Sequence, residues 1–267
     1  MSAPKKLVIF GANGYVGSTI ARIAVNSGVQ VVGASRSGQE PLRRRNAPES
    51  DYDWVKEVQW SKVDALERRD VQDFLDYHND ADAVVSSIGV MSLDHKFAKR
   101  VNGDANVNIV SAVYERPQLR RLVYVSAMPM NPATQVLHGY YSGKRQTERA
   151  MGENLGGRGV ALRPGMVSGT RIVSNYGIPL PLWLAGTPME VIFRPIYNVT
   201  GLTILAPPSN VEDVARAALY SALQSAVPDQ TELVEYAGIK AMSDRFESES
   251  LRISAGAADS TDAKKQE

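Results

Sequence analysis

The 267-residue chain contains no cysteine, few aromatic side chains (7%) and no excess of either charge. The absence of cysteine excludes disulfides, thiolate metal sites and a cysteine nucleophile. Thirty Lys and Arg against 29 Asp and Glu give a formal net charge of +1, which provides no electrostatic basis for binding nucleic acid. The three histidines, His78, His95 and His138, are scattered along the chain and predict no metal site.

A long uninterrupted hydrophobic run is also missing. The longest stretch without charge, residues 172–189, contains three prolines and cannot form a continuous membrane-spanning helix. No apolar signal segment or Arg/Ser-rich transit helix precedes Leu7, so the sequence predicts either a cytosolic (cytoplasmic) protein or one whose presequence has been removed. With 43% hydrophobic residues, the chain can bury a core, and a small molecule is the expected partner.

Short apolar runs alternate with helical patterns along the first 165 residues. Residues 7–10 are typical of a strand buried on both faces, and a glycine-rich turn, a helical pattern and a second apolar run follow them. The later predicted strands are residues 58–60, 83–86, 122–126 and 160–162, and the helices between them are residues 67–77, 94–114 and 139–153. This alternation predicts an α/β fold with a doubly wound, mostly parallel sheet and helices on both faces.

The composition changes after residue 164. Residues 165–209 are rich in Gly, Pro and large apolar side chains and, with residues 225–243, predict a small irregular cap over the carboxyl ends of the strands. Residues 1–243 are expected to form a single domain. A helix capped by Asn210 is predicted over residues 210–223 and a last strand over residues 233–239. Residues 244–267 are expected to be a disordered tail.

Three glycines, Gly11, Gly14 and Gly17, lie between the first predicted strand and helix. Gly11 permits a tight turn, Gly14 lets the backbone approach a pyrophosphate, and Gly17 lets the helix pack closely on the sheet. A tight turn without a ligand is the alternative, and the strand–turn–helix context favours a dinucleotide held at the helix N-terminus. The predicted cofactor contacts of this turn are Gly11, Asn13, Gly14, Tyr15 and Val16.

The second strand ends in Ser35, Arg36 and Ser37, without an acidic residue. An Asp or Glu there would bind the ribose 2′-hydroxyl of NAD and repel a 2′-phosphate. Arg36 can face a phosphate with charge-assisted hydrogen bonds of about 1.5–3 kcal/mol each, and the two serines can add hydroxyl donors. The sequence therefore favours NADP(H) over NAD(H) as the cofactor.

These features resemble the extended or atypical short-chain dehydrogenase/reductases, which are NAD(P)-binding Rossmann-fold proteins, over about residues 5–240. The resemblance implies that Asp64 contacts the adenine amino group and that Asn102 supports the site from the helix after the fourth strand. It also implies a loop beneath the cofactor formed by Ser87, Ile88 and Gly89.

Shorter segments are similar to particular branches of this family. Residues 35–38, 57–60, 141–145 and 162–166 are similar to a fungal accessory protein of ubiquinone biosynthesis, and residues 186–190 to plant organellar proteins described as flavin-reductase-like. The Rossmann-type accessory subunit of respiratory complex I is a more distant relative. The resemblance implies a mitochondrial or plastid location beside a membrane-associated redox complex, without implying a reaction.

The family's chemistry requires a Tyr and a Lys four residues apart on a helix, together with a hydroxyl from the end of the fifth strand. Tyr140 and Lys144 open the helix after that strand. The resemblance implies that Lys144 lowers the pKa of Tyr140 from about 10 and holds the nicotinamide ribose. The same spacing recurs outside this context in Tyr52/Lys56 and Tyr236/Lys240, which we treat as chance.

The hydroxyl partner is missing, because Ala127 follows Ser126 where the family places its second hydroxyl. Loss of one such donor can lower a rate by orders of magnitude. Two hypotheses therefore remain: an NADPH-dependent oxidoreductase, and a non-catalytic subunit or assembly factor that keeps NADPH structurally. Two further alternatives remain. His95 or His138 could replace the missing hydroxyl as a hydrogen-bond donor. Residues 178–193 could form a quinone-binding surface instead of a buried cap.

Overall fold

The computed structural model describes residues 5–129, 133–173, 178–181 and 207–263, with side chains described within 5–129, 134–170 and 207–250. The strands are β1 (Lys6–Phe10), β2 (Gln30–Ser35), β3 (Val58–Lys62), β4 (Ala83–Ser86), β5 (Arg121–Val125), β6 (Gly159–Leu162), β7 (Val167–Ser168), β8 (Thr170–Val173), β9 (Ile178–Pro181), β10 (Ser209–Asn210) and β11 (Glu232–Val234). The helices are α1 (Tyr15–Asn26), α2 (Arg68–Tyr77), α3 (His95–Lys99), α4 (Ala105–Tyr114), α5 (Ala133–Val136), α6 (His138–Asn154), α7 (Val211–Leu223) and α8 (Tyr236–Ala263).

Seven strands form one parallel sheet in the order β11-β6-β5-β4-β1-β2-β3. The chain runs outward from β1 to β3 and then returns to β4 on the other side of β1, so that Val8 is the register partner of both Val32 and Val84. This reversal of strand order is the switch point at which open α/β sheets bind ligands. The predicted doubly wound fold is confirmed.

The core consists of two apolar layers, one on each face of the sheet. Leu7 and Ile9 point into the layer that contains α1 and α7, whereas Val8 and Phe10 point into the layer that contains α2 and α4. Because all four side chains are at most 1% exposed, β1 is buried on both faces, as its continuous apolar run predicts.

The helix after β4 is interrupted by one π-helical turn, Arg100–Asp104, which joins α3 to α4. The predicted helix over residues 94–114 is therefore present, with a local change in hydrogen bonding that the apolar periodicity does not reveal. Asn210 caps α7, as expected, since its side chain accepts a hydrogen bond of 2.9 Å from the Glu212 amide.

The C-terminal segment differs from the sequence-based expectation. The predicted strand over residues 233–239 is limited to β11, and α8 extends from Tyr236 to Ala263, over residues expected to belong to a disordered tail. Ile239 is buried in the core layer of α7, and Met242 and Phe246 pack against the same layer. These apolar side chains, three, four and seven residues apart, lie on one face of α8 and attach its first turns to the core.

The predicted cap lies largely outside the described residues. Its described parts are a parallel pair, β7 with β10, and an antiparallel pair, β8 with β9. Of the apolar segment 178–193, only the backbone of β9 is described. Within the described part of the chain, no helix has the length and apolar character needed to cross a membrane.

Candidate functional site

A cavity of about 310 Å³ opens at the switch point between β1 and β4. It is formed by the carboxyl ends of the strands and the loops that follow them. Nine of the predicted cofactor contacts line it: Gly11, Asn13, Gly14, Ser35, Arg36, Asp64, Ser87, Ile88 and Gly89. The apolar lining residues that sequence reasoning missed are Phe10, Ala34, Val63, Ala65, Leu66, Val90, Phe97, Val101 and Ala105.

The turn after β1 brings backbone close to backbone. Gly11 has φ +77°, a conformation that favours glycine, and a Cβ on Gly17 would collide with the Gly11 carbonyl oxygen. Ser87, which directly follows β4, stabilises this turn, because its hydroxyl donates a hydrogen bond of 3.1 Å to the Phe10 carbonyl at the end of β1. The first turn of α1 contains no acidic residue and Gly14 provides no side-chain cap, so this helix N-terminus is suited to an external anion.

The end of β2 presents hydroxyl and amide groups around an exposed Arg36. The Ser37 hydroxyl accepts a hydrogen bond of 3.0 Å from the Asn13 side chain and lies 3.4 Å from the Ser35 hydroxyl. The Gly38 amide donates to Ser35 at 3.1 Å. Ser37 does not itself line the cavity, but these contacts join it to residues that do.

Asp64 lies after β3, next to the end of β2, and lines the cavity. Its carboxylate accepts a hydrogen bond of 3.0 Å from the Leu66 amide, so it is held by its own loop while facing the cavity. The surrounding wall is apolar, which is suitable for a flat aromatic ring with polar atoms at one edge. The apolar lining residues belong to no sequence motif. Only the position of some of them at the ends of strands could have indicated that they line the cavity.

Tyr15 and Val16 lie at the start of α1 and do not line the cavity. The Tyr15 side chain instead reaches Gly169 after β7, where a Cβ would collide with the tyrosine hydroxyl. The contact predicted for the backbone of these two residues stays a prediction.

Lys144 is buried (3% exposed) beside the cavity loop Ile88–Gly89. Its ammonium donates to the Val125 carbonyl at 2.8 Å and to the Ile88 carbonyl at 3.2 Å. It also lies 4.6 Å from the ring centroid of Tyr124 and 5.7 Å from that of Tyr140. Burial lowers the pKa of Lys144 to about 7, an effect that the carboxylate of Glu148 opposes.

Tyr140 lies one helical turn before Lys144 on α6 and is half-buried. Its ring packs edge-on against Tyr141, with centroids 5.0 Å apart. Burial raises the pKa of Tyr140 to about 12, the opposite direction from the one that acid–base catalysis by a phenol needs. The structure therefore brings Tyr140 and Lys144 together without activating the phenol.

The other two Tyr–Lys pairs have different surroundings. Lys56 and Lys240 are at least half exposed and bind surface carboxylates, those of Asp53 and Asp244. Neither resembles the buried ammonium of Lys144. The burial of the lysine, and not the spacing, distinguishes the three pairs.

Ser126 and Ala127 follow β5 and are both buried. The Ser126 hydroxyl donates to the Glu148 carboxylate at 2.6 Å, so it is engaged in supporting α6. His95 and His138 are exposed and pack edge-on with ring centroids 6.3 Å apart, and His95 Nδ1 accepts a hydrogen bond from the Gly139 amide. The histidines therefore brace the starts of α3 and α6.

Asn102, in the π turn, holds the loop under the cavity. Its side chain exchanges hydrogen bonds with the Val90 backbone, donating to the carbonyl at 2.8 Å and accepting from the amide at 3.2 Å. Its own carbonyl accepts bonds from the hydroxyls of Tyr124 and Thr147. The supporting position implied for Asn102 is the one that the structure shows.

Comparison with known proteins gives the class to which this fold and site belong. Residues 7–152 match the model of the NAD dependent epimerase/dehydratase family. An uncharacterised chloroplastic protein of Arabidopsis thaliana is 34% identical over 227 residues, covering 80% of this chain and 70% of the relative. The chain belongs to this family.

One further relative is similar in sequence, and two solved proteins are similar in fold. MIOREX complex component 2 of Saccharomyces cerevisiae is 40% identical over 86 residues, which are 32% of this chain and 29% of the yeast protein. The enzyme WbmH of Bordetella bronchiseptica, solved with NAD+, has a TM-score of 0.55 at 18% identity over 87% of this chain and 75% of its own. ElxO, solved with NADP, has a TM-score of 0.58 at 13% identity over 87% of this chain and 97% of its own.

Proposed function

We propose that this protein binds NADP(H) at the β1–β4 switch point and works in organellar redox or quinone metabolism as an NADPH-dependent oxidoreductase. The observation that most directly supports this proposal is the cavity. In it, the glycine turn and a helix N-terminus without acidic residues lie next to Ser35 and Arg36. Solved neighbours of the same fold bind NAD+ or NADP, which supports a nicotinamide dinucleotide here. Arg36 and the absence of an acid at the end of β2 support NADP(H).

The residues present fit such a cofactor. Backbone amides at the start of α1 would hold the pyrophosphate, because this helix N-terminus has neither an acidic residue in its first turn nor a side-chain cap. Arg36 with the two serines would hold the 2′-phosphate, Asp64 the adenine, and the Ile88–Gly89 loop the middle of the molecule. Lys144, next to that loop, would donate to the nicotinamide ribose.

A bound nicotinamide supplies a hydride donor or acceptor. In this proposal, Tyr140 exchanges a proton with the substrate oxygen, and the neighbouring Lys144 ammonium stabilises the phenolate. A charged Lys144 lowers the pKa of Tyr140 from its buried value, so the protonation of Lys144 decides whether the phenol can act.

Calorimetric titration of the purified protein with NADPH and NADH tests the binding. We expect NADPH to bind more tightly, and Arg36→Asp to remove most of that preference, because a carboxylate repels the 2′-phosphate. The matched control is Arg45→Asp, an equally exposed change in the following loop. Absence of uptake of either nucleotide by the wild-type protein would refute the proposal.

A second candidate function rests on a specific observation. Ala127 has no hydroxyl and Ser126 is occupied by Glu148, so the site has the cofactor pocket without the carbonyl-polarising donor. These features support a non-catalytic accessory subunit or assembly factor of a respiratory or quinone-biosynthesis complex. Such a subunit would keep NADPH structurally.

Substitution of Tyr140 separates the two candidates. Under the first, Tyr140→Phe abolishes turnover in a screen of quinones, flavins and small carbonyl compounds while NADPH remains bound. Under the second, wild type shows no turnover, and mass spectrometry detects nucleotide released from the denatured protein. Tyr114→Phe, at an exposed position far along α4, is the control.

The proposed location is an organelle, a mitochondrion or plastid. The names of the Arabidopsis and yeast relatives support it, as one is chloroplastic and the other belongs to a MIOREX complex. Fluorescent tagging of the full-length protein tests this part, and a uniform cytoplasmic signal would contradict it.

A further inference from the structure

Three charged residues meet behind the cavity, where the ends of β5 and β6 reach α6. Glu148 is 7% exposed and lies one turn after Lys144 on the same face of α6. Its carboxylate binds the guanidinium groups of Arg145 and Arg163 as well as Ser126.

The carboxylate is fully occupied. Glu148 Oε1 accepts from Ser126 Oγ at 2.6 Å and from Arg163 Nε at 2.9 Å. Its Oε2 accepts from Arg145 Nη1 at 2.6 Å and from Arg163 Nη2 at 2.7 Å. Four donors match the acceptor capacity of a carboxylate, and the bidentate arginine fixes its orientation.

These contacts tie together the parts that surround Lys144. Ser126 directly follows Val125, whose carbonyl accepts from the Lys144 ammonium at 2.8 Å. The Ser126 amide donates to the Leu162 carbonyl at 2.7 Å, which joins the end of β5 to the end of β6 just before Arg163. Glu148 therefore sets the position of α6 against the carbonyl that holds Lys144.

The same carboxylate balances the local charge. Lys144 faces Tyr124 from β5 and Tyr140, Arg145 and Glu148 from its own helix. Arg163 from β6 lies beyond Glu148 and also approaches Glu235 at 3.8 Å. Asp104, from the π turn, binds Gln146 at the exposed side of α6. Without Glu148, the half-buried guanidinium of Arg145 would act on Lys144 with no carboxylate between them.

We propose that Glu148 is a positioning residue for cofactor binding, which anchors α6 to the ends of β5 and β6 and places a negative charge one helical turn from Lys144. The inference rests on the proposed NADPH binding. Burial lowers the pKa of Lys144 most, the carboxylate of Glu148 raises it, and Arg145 lowers it. Removing the carboxylate therefore shifts the protonation of Lys144 to lower pH.

The test is NADPH affinity as a function of pH, measured by calorimetry from pH 6 to pH 9 on the full chain. A decrease of one unit in the pKa of Lys144 reduces its protonated fraction about twofold at pH 6 and about tenfold at pH 8. We expect Glu148→Gln to weaken NADPH binding by these factors. Glu153→Gln, an exposed change on the same helix, should match wild type at every pH.

A merely structural role for Glu148 would weaken binding equally at all pH values. Arg145→Gln provides a second measurement if Glu148→Gln does not fold. It removes the cation that lowers the pKa of Lys144 and keeps the carboxylate, so the pH midpoint of binding should move upward instead of downward. Unchanged midpoints in the folded variants would overturn the role of Glu148. Failure of wild type to bind NADPH at any pH would refute the proposed function instead.

Discussion

Neutralising Lys144 should change how the stability of the cofactor-free protein depends on pH. The unfolded lysine keeps its proton up to about pH 10.5, whereas the folded one loses it near pH 7. Between these values the unfolded state binds more protons, so the free energy of unfolding increases with pH. Lys144→Met is the variant for comparison. It keeps a side chain of similar length but removes the titrating ammonium between the Ile88 and Val125 carbonyls.

The magnitude follows from the pKa difference. One pKa unit corresponds to about 1.4 kcal/mol, and a group titrating near pH 7 contributes about 2 kcal/mol between pH 7 and pH 9. The free energy of unfolding of wild type, relative to that of Lys144→Met, should therefore increase by about 2 kcal/mol between pH 7 and pH 9. Urea denaturation at pH 7, 8 and 9 measures this difference.

Lys56→Met is the matched control, because Lys56 is exposed and its pKa is raised by the hydrogen bond to Asp53. The difference between wild type and this control should not change over the same pH range. A constant difference between wild type and Lys144→Met would show that Lys144 does not titrate near neutral pH. Glu148 would then support Lys144 through its position alone, without affecting the lysine's proton.

Two further predictions concern packing. Gly17→Ala should destabilise the fold by about 1–3 kcal/mol and weaken NADPH binding, because the added Cβ would collide with the Gly11 carbonyl oxygen. Urea denaturation and calorimetry measure the two effects, and Gly152→Ala is the control, because a Cβ at Gly152 on α6 meets no atom within 4 Å beyond its own stretch of helix. Ser243→Ala should cost about 1 kcal/mol in urea denaturation, because the buried Ser243 hydroxyl donates to Asp213 at 2.7 Å. An equal effect of Ser248→Ala, which lies on the exposed face of α8, would contradict that assignment.

The sheet and the glycine turn after β1 were predictable because their signals are local. The glycine turn, the apolar run of β1 and the residues at the end of β2 lie within a few residues of one another, and β1 is buried on both faces as the run predicts. The position of Tyr140 and Lys144 after β5 follows from counting strands along the chain.

Features that depend on distant contacts could not be predicted. The carboxylate of Glu148 receives donors from β5, β6 and α6, and no spacing in the sequence brings Arg163 to it. The C-terminal part of α8 has the polar composition of a mobile segment, whereas Ile239, Met242 and Phe246 near its start pack on the core layer of α7. Polar composition predicts disorder only when no neighbouring surface is available for the few apolar side chains.

The π turn between α3 and α4 makes this stretch of the chain sensitive to changes in length. One residue more than an α-helical turn is accommodated at Arg100–Asp104, and Asn102 clamps Val90 from within it. A single-codon deletion there would restore regular α-helical hydrogen bonding and remove the widened turn from which Asn102 reaches Val90. Substitutions should therefore be tolerated at the exposed positions of this turn, whereas deletions should displace the loop that Asn102 holds beneath the cavity.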